Sequence, residues 1–256
     1  MTKDSIRQIG VICATVIMIV INTLGDLIPY NGITSREVGD QLEVYFAPSN
    51  YTYSIWALII AGLIAYSIFQ ALSSNKEDPF LRKIGWLYVA SCLVNSGWMV
   101  FWHYKNFFLT MVVILVLMVM LIMIYKKLNI GKEKVKPGMR IFVHLPFSIY
   151  LGWITLTLLG NITYFLHAFG WDGFGLDQRI WAVVLIVLSV VTAELIAFNR
   201  QDLAFLAVFV WTLAGIAQAQ YGVSPVFEAA CAAIIFIVII AIVTLIVRPR
   251  LRKSPS

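Results

Sequence analysis

Stripes of aromatic and carboxamide side chains carry most of the chemistry this sequence offers. Asn95, Trp98 and Trp102 follow one another at i, i+3 and i+7, which on a helix puts an amide and two indoles on one face. Trp153, Thr157, Asn161 and Tyr164, at i, i+4, i+8 and i+11, make a second such face, and Tyr53 and Trp56, just after Tyr51, a shorter third. In hydrocarbon, side chains that need hydrogen bonds turn towards other helices or a cavity. A cavity lined this way suits a flat, aromatic, sparingly soluble ligand, with rings for contact area and amides for orientation. The competing account is packing: aromatics near helix ends anchor at the membrane interface, and Asn95 acts as glue between helices. The spacing alone fits both accounts.

Titratable groups are few. Glu194 is the one carboxylate well inside an apolar run, and an ionisable group there is a candidate for proton coupling. The tamer alternative is that it snorkels or pairs with Arg200. His103, His144 and His167 are too dispersed for a metal centre, which leaves only axial ligation of haem open to one of them. Cys13, Cys92 and Cys231 lie within apolar runs without a CxxC partner and read as packing residues. No nucleophile with its base, acid/base carboxylate pair or phosphate loop is visible, so no catalytic residue and no metal site is expected.

The elements that position these residues follow from composition. Of 256 residues, 61% are hydrophobic and only 12% charged, with mean hydropathy +0.87, which excludes a soluble globule. The apolar stretches run for about twenty residues without the alternation of a β-barrel, so the fold class is all-α: a polytopic transmembrane helical bundle. Eight runs are delimited, at 8–29, 51–72, 84–103, 106–125, 140–168, 178–198, 202–221 and 226–247. The first is read as a retained helix and not a cleaved signal. Pro146 is expected to kink the fifth. In the seventh, Trp211, Gly215 and Gln218 share a face suited to packing against the sixth.

The net charge of +6 does not argue for nucleic acid, because Lys and Arg sit in short segments between the runs. Of the 19, 16 fall on alternate segments, which predicts both termini in the cytoplasm of a multi-pass cell-membrane protein, with the lipid bilayer as its first partner. Residues 126–140, rich in Lys, read as a positive-inside determinant, with binding of anionic head groups the alternative. The outer loop 30–50 is either a lid or a connector.

Several of these residues also carry a resemblance. Pro48 through Trp56 (PSNYTYSIW) resembles the start of the second helix in the tryptophan-rich sensory protein family, also called TspO/MBR or translocator proteins. Leu87-Tyr88 followed by Asn95 and Trp98 is similar to that family's third-helix pattern, and Trp153 followed by Asn161 to its fifth, with Pro146 shortly before. The resemblance covers residues 10–168 and divides the chain into a five-helix TspO-like membrane domain, 1–168, and three additional helices with a basic cytoplasmic tail, 169–256. It implies a non-enzymatic receptor or transport-like protein that binds a tetrapyrrole, a sterol or a similar hydrophobic molecule, with porphyrin or haem as ligand and no required cofactor. Carried over by position, Trp56, Asn95, Trp98, Trp153 and Asn161 line the pocket, and helical spacing adds Tyr53. It further implies a homodimer, whose surface the extra helices are able to block or replace. The alternatives are a proton-coupled small-molecule or lipid transporter using Glu194, and a membrane enzyme that modifies tetrapyrroles.

Overall fold

A computed structural model describes residues 2–251. Every expected apolar run forms a helix: α1 (Lys3–Leu27), α3 (Ile55–Ala71), α4 (Pro79–His103), α5 (Phe107–Lys127), α7 (Leu145–Ala168), α8 (Gln178–Arg200), α9 (Leu203–Ala219) and α10 (Val226–Leu251). Two short helices, α2 (Ser35–Asp40) and α6 (Pro137–Met139), lie in connecting segments. Seven of the long helices have the length and hydropathy to cross a membrane, and the chain is a multi-pass helical membrane protein. The eighth, α9, has 17 residues, because Asp202 caps its start and Gln220 its end within the run 202–221. Arg252 and Lys253 of the basic tail lie outside the described residues.

Helix starts are written in the sequence. The Thr2 hydroxyl caps α1, the Asp78 carboxylate caps α4 just ahead of Pro79, and Asn106, Asp177 and Asp202 cap α5, α8 and α9. Pro146, expected to kink the fifth run, stands in the first turn of α7, directly after a widened turn. Arg140–His144 form a π-helical turn, in which the Leu145 N–H reaches back to the Arg140 carbonyl. The widened turn absorbs the register that Pro146, with no N–H, interrupts. Gly62 of α3 faces this proline so closely that an added Cβ would come within 3.1 Å of its ring.

The chain divides into two compact units. The first comprises residues 1–43, 55–129 and 135–171. Within it each long helix packs on two others, in the circular order α1, α4, α5, α7, α3, to close a five-helix ring. Buried polar residues clasp α1 to its neighbours. The Gln8 and Gln70 side-chain amides each donate to the other's backbone carbonyl, at 2.7 and 3.1 Å, and Thr15 Oγ1 meets Ser67 Oγ and the Tyr88 hydroxyl at 2.6 and 2.8 Å. Hydrogen bonds of this kind stand in for the hydrophobic driving force that is missing between helices in lipid.

The second unit comprises residues 44–54, 130–134 and 172–256, in which α8, α9 and α10 pack together. Small side chains permit their close approach: Ala182, Ser189, Ala193 and Ala197 on α8 and Ala230 and Ala233 on α10 are all buried. The Trp211, Gly215 and Gln218 face of α9, expected to meet the preceding helix, instead receives residues 48–52. Ser49 N–H donates to the Gly215 carbonyl, Trp211 Nε1 to the Thr52 carbonyl, and Ser49 Oγ to Gln218 Oε1. Gly215 is what lets Thr52 sit against the α9 backbone, since a Cβ there would collide with the Thr52 hydroxyl.

Candidate functional site

In the first unit, α4 and α7 stand two places apart around the ring, yet their polar side chains meet across its interior. Trp98 Nε1 donates to Asn161 Oδ1 at 3.1 Å, and Asn161 Nδ2 donates back to the Thr157 carbonyl at 2.8 Å. The Trp98 and Trp102 rings stack at 5.6 Å, and Trp102 meets the Tyr164 ring edge-on at 5.1 Å. Asn95, fully buried, lies beside the Tyr150 hydroxyl of α7, and the Tyr150 ring makes an edge contact with Trp56 of α3 at 6.1 Å. Trp153 is buried one turn further along α7. Rings and amides from α3, α4 and α7 thus converge inside the ring.

Two polar groups in this cluster stand out. Asn95 Oδ1 accepts from Asn22 Nδ2 of α1 at 3.0 Å, and Asn95 Nδ2 interacts with the Tyr150 oxygen; apart from each other, these two groups have no hydrogen-bond partner among the described residues. Burying a polar hydrogen without an acceptor costs of order 1–3 kcal/mol.

One end of this interior is covered by α2. A capping box starts that helix: Glu37 N–H donates to Thr34 Oγ1, and the Thr34 N–H and hydroxyl both donate to Glu37 Oε2. These bonds from Thr34, the backbone N–H first, hold the Glu37 carboxyl below its usual value. Val38 is fully buried, the Trp102 indole donates to the Ser35 carbonyl at 2.9 Å, and Gly39 lies close to the Tyr164 hydroxyl. His103 Nδ1 is held by the Met99 carbonyl at 2.9 Å, which turns Nε2 towards Ser35 Oγ.

Of the residues expected from sequence, Trp56, Asn95, Trp98, Trp153 and Asn161 all belong to the first unit. Asn95, Trp153 and Asn161 are buried, and Trp56 and Trp98 half-buried. Tyr53 stands on the 3₁₀ turn Asn50–Ser54, is 45% exposed, and belongs to the second unit. Glu194 also belongs to the second unit, half-buried on α8, while Arg200 directs Nη1 to the Ile130 carbonyl at 3.3 Å. Sequence reasoning missed Asn22 and Tyr150. Asn22 could have been found from its place seven residues after Thr15 on the same face of α1, and Tyr150 from its place three residues before Trp153.

Among proteins already characterised, no curated chain and no solved structure matches this one. A family model does: that of the TSPO-like protein, over residues 8–246. The match runs well past residue 168, where the sequence resemblance was drawn to end, and takes in nearly all of the last three helices. With the match spanning all eight long helices, the chain belongs to the TSPO-like protein family.

Proposed function

We propose that the protein is a membrane receptor or transport-like protein that binds a hydrophobic aromatic molecule, of tetrapyrrole or sterol type, inside the five-helix ring. The observation that carries this reading is the meeting of Asn95, Tyr150 and Trp56 in the ring interior, where a buried amide and a buried hydroxyl have only each other as hydrogen-bond partners beside aromatic rings. Aromatic faces supply contact area, and a lone amide with a hydroxyl fixes orientation, the usual division of labour in small-molecule sites. Trp98 with Asn161 lines the same interior, and Trp153 packs beside Tyr150 on its helix. Residues 1–168 carry the site on this reading, and 169–256 support it from the same membrane, with both termini cytoplasmic.

Titration of the purified chain with a porphyrin, followed by quenching of tryptophan fluorescence, tests the assignment. A Trp56→Ala, Trp98→Ala double variant that keeps its helical content is expected to bind at least about tenfold more weakly, roughly 1.4 kcal/mol. Unaltered affinity removes this site.

A further inference from the structure

We infer that Asn22 is a positioning residue that fixes which face of the Asn95 carboxamide looks into the ring, so that the site presents hydrogen-bond donors and selects hydrophobic ligands carrying an acceptor. The inference rests on the proposed ligand site and concerns its selectivity.

One group in this chain of hydrogen bonds cannot flip. The Met18 carbonyl on α1 is an acceptor only, and Asn22, one turn later, donates Nδ2 to it at 2.8 Å. That bond settles which end of the Asn22 carboxamide is nitrogen. The second hydrogen of the same Nδ2 goes to Asn95 at 3.0 Å, so the atom of Asn95 that meets it must be Oδ1. Asn95 therefore turns Nδ2 away from α1 and towards Tyr150, whose oxygen takes one of its hydrogens, while the other, like the Tyr150 O–H, has no further acceptor among the described residues. Polarity passes from a backbone carbonyl, through two side chains, to the ring interior. Were Asn22 absent, either end of the Asn95 carboxamide would serve, and the site would lose its preference for one ligand polarity.

The arrangement also explains why Asn95 is fully buried while Asn22 is only half-buried. The inner amide meets the guest and the outer one holds it in place. Trp98 contributes no competing acceptor, since its indole donates, here to Asn161 Oδ1.

Three rigid tricycles of nearly equal size read the selectivity in isothermal titrations of the full chain in nanodiscs. Fluorene offers no strong polar group, 9-fluorenone adds a carbonyl acceptor, and carbazole adds an N–H donor. The intact protein is expected to bind fluorenone about tenfold more tightly than fluorene, and carbazole no better than fluorene. In Asn95→Leu the advantage of fluorenone over fluorene should disappear. In Asn22→Leu the fluorenone-to-carbazole ratio should fall to within about threefold of unity. A purely structural role for Asn22 would weaken all three alike and leave that ratio unmoved, which would overturn the inference. Equal binding of fluorenone and carbazole by the intact chain would overturn it too, with the aromatic site itself still standing. Failure of the intact chain to bind any of the three would take down the parent reading and the inference with it.

Discussion

Gly85 on α4 makes room for an arginine. The aliphatic stem of Arg7 lies so close that a Cβ at Gly85 would come within 2.7 Å of its Cγ and Cδ. The guanidinium then donates to the Leu81 carbonyl at 3.1 Å and the Lys76 carbonyl at 2.8 Å, and Nε stands 3.7 Å from Asp4. A buried cation with two carbonyls and a carboxylate is held on several sides and cannot shift without breaking those contacts. Gly85→Ala should therefore cost about 1–3 kcal/mol by overpacking, even though alanine is the better helix former. The check is a thermal melt in detergent: a variant as stable as the parent would show that Arg7 moves freely, contrary to its bonds. In the sequence Arg7 reads simply as one more charge on the cytoplasmic side. Nothing in its spacing marks it as buried, because the partner is a glycine 78 positions away and the acceptors are backbone carbonyls, which any sequence has. Asn95 was legible for the opposite reason: an amide in a run of hydrocarbon must find company. Which atom of it faces Tyr150 depends on Asn22, a tertiary fact.

At the scale of elements, most helix boundaries were legible because they rest on local chemistry: Asp78 ahead of Pro79, Asn106, Asp177 and Asp202 are caps that can be read in place. The outer loop was not legible. Its two parts have different destinations, with α2 seated over α4 and α7 of the first unit and residues 44–54 assigned to the second. What determines this is complementary shape at Gly39 and Gly215, which periodicity does not report. The α2 capping box nonetheless gives the loop a measurable pH response. Because the folded state lowers the Glu37 pKa from its ordinary 4.5, its carboxylate stabilises α2 fully above that value. The contribution is lost as pH falls through the lowered folded value. Amide exchange at Val38 and Gly39 should accelerate over that range in excess of the intrinsic pH effect. In Glu37→Gln, whose amide can still close a capping box, the excess should vanish. An identical excess in both proteins would mean that another group controls α2.

For the whole molecule the question is how often the chain crosses the bilayer. Seven helices have the span length, and α9 is the short one. At 1.5 Å per residue its 17 residues reach about 25 Å, short of the ~30 Å hydrocarbon layer. If α9 does not cross, the two termini lie on opposite sides, and the tail with Arg248, Arg250, Arg252 and Lys253 moves to the outer surface. That would undo the alternation in which 16 of the 19 Lys and Arg residues share one side. The packing of α9 offers a reason why a short helix can still span. Phe205, Leu206, Phe209, Leu213 and Ile216 are buried, while on α10 Ile235, Phe236 and Ile239 are exposed. Wrapped by α8, α10 and residues 48–52, α9 presents little surface to lipid, so the bilayer thickness it must match is set by protein. Tags fused to the two ends should therefore both be shielded from an impermeant reagent applied to the outside of intact cells, and both react once the membrane is opened. A carboxyl-terminal tag that reacts from outside while the amino-terminal tag stays shielded would fix the count at seven and make α9 a helix buried within the second unit without crossing.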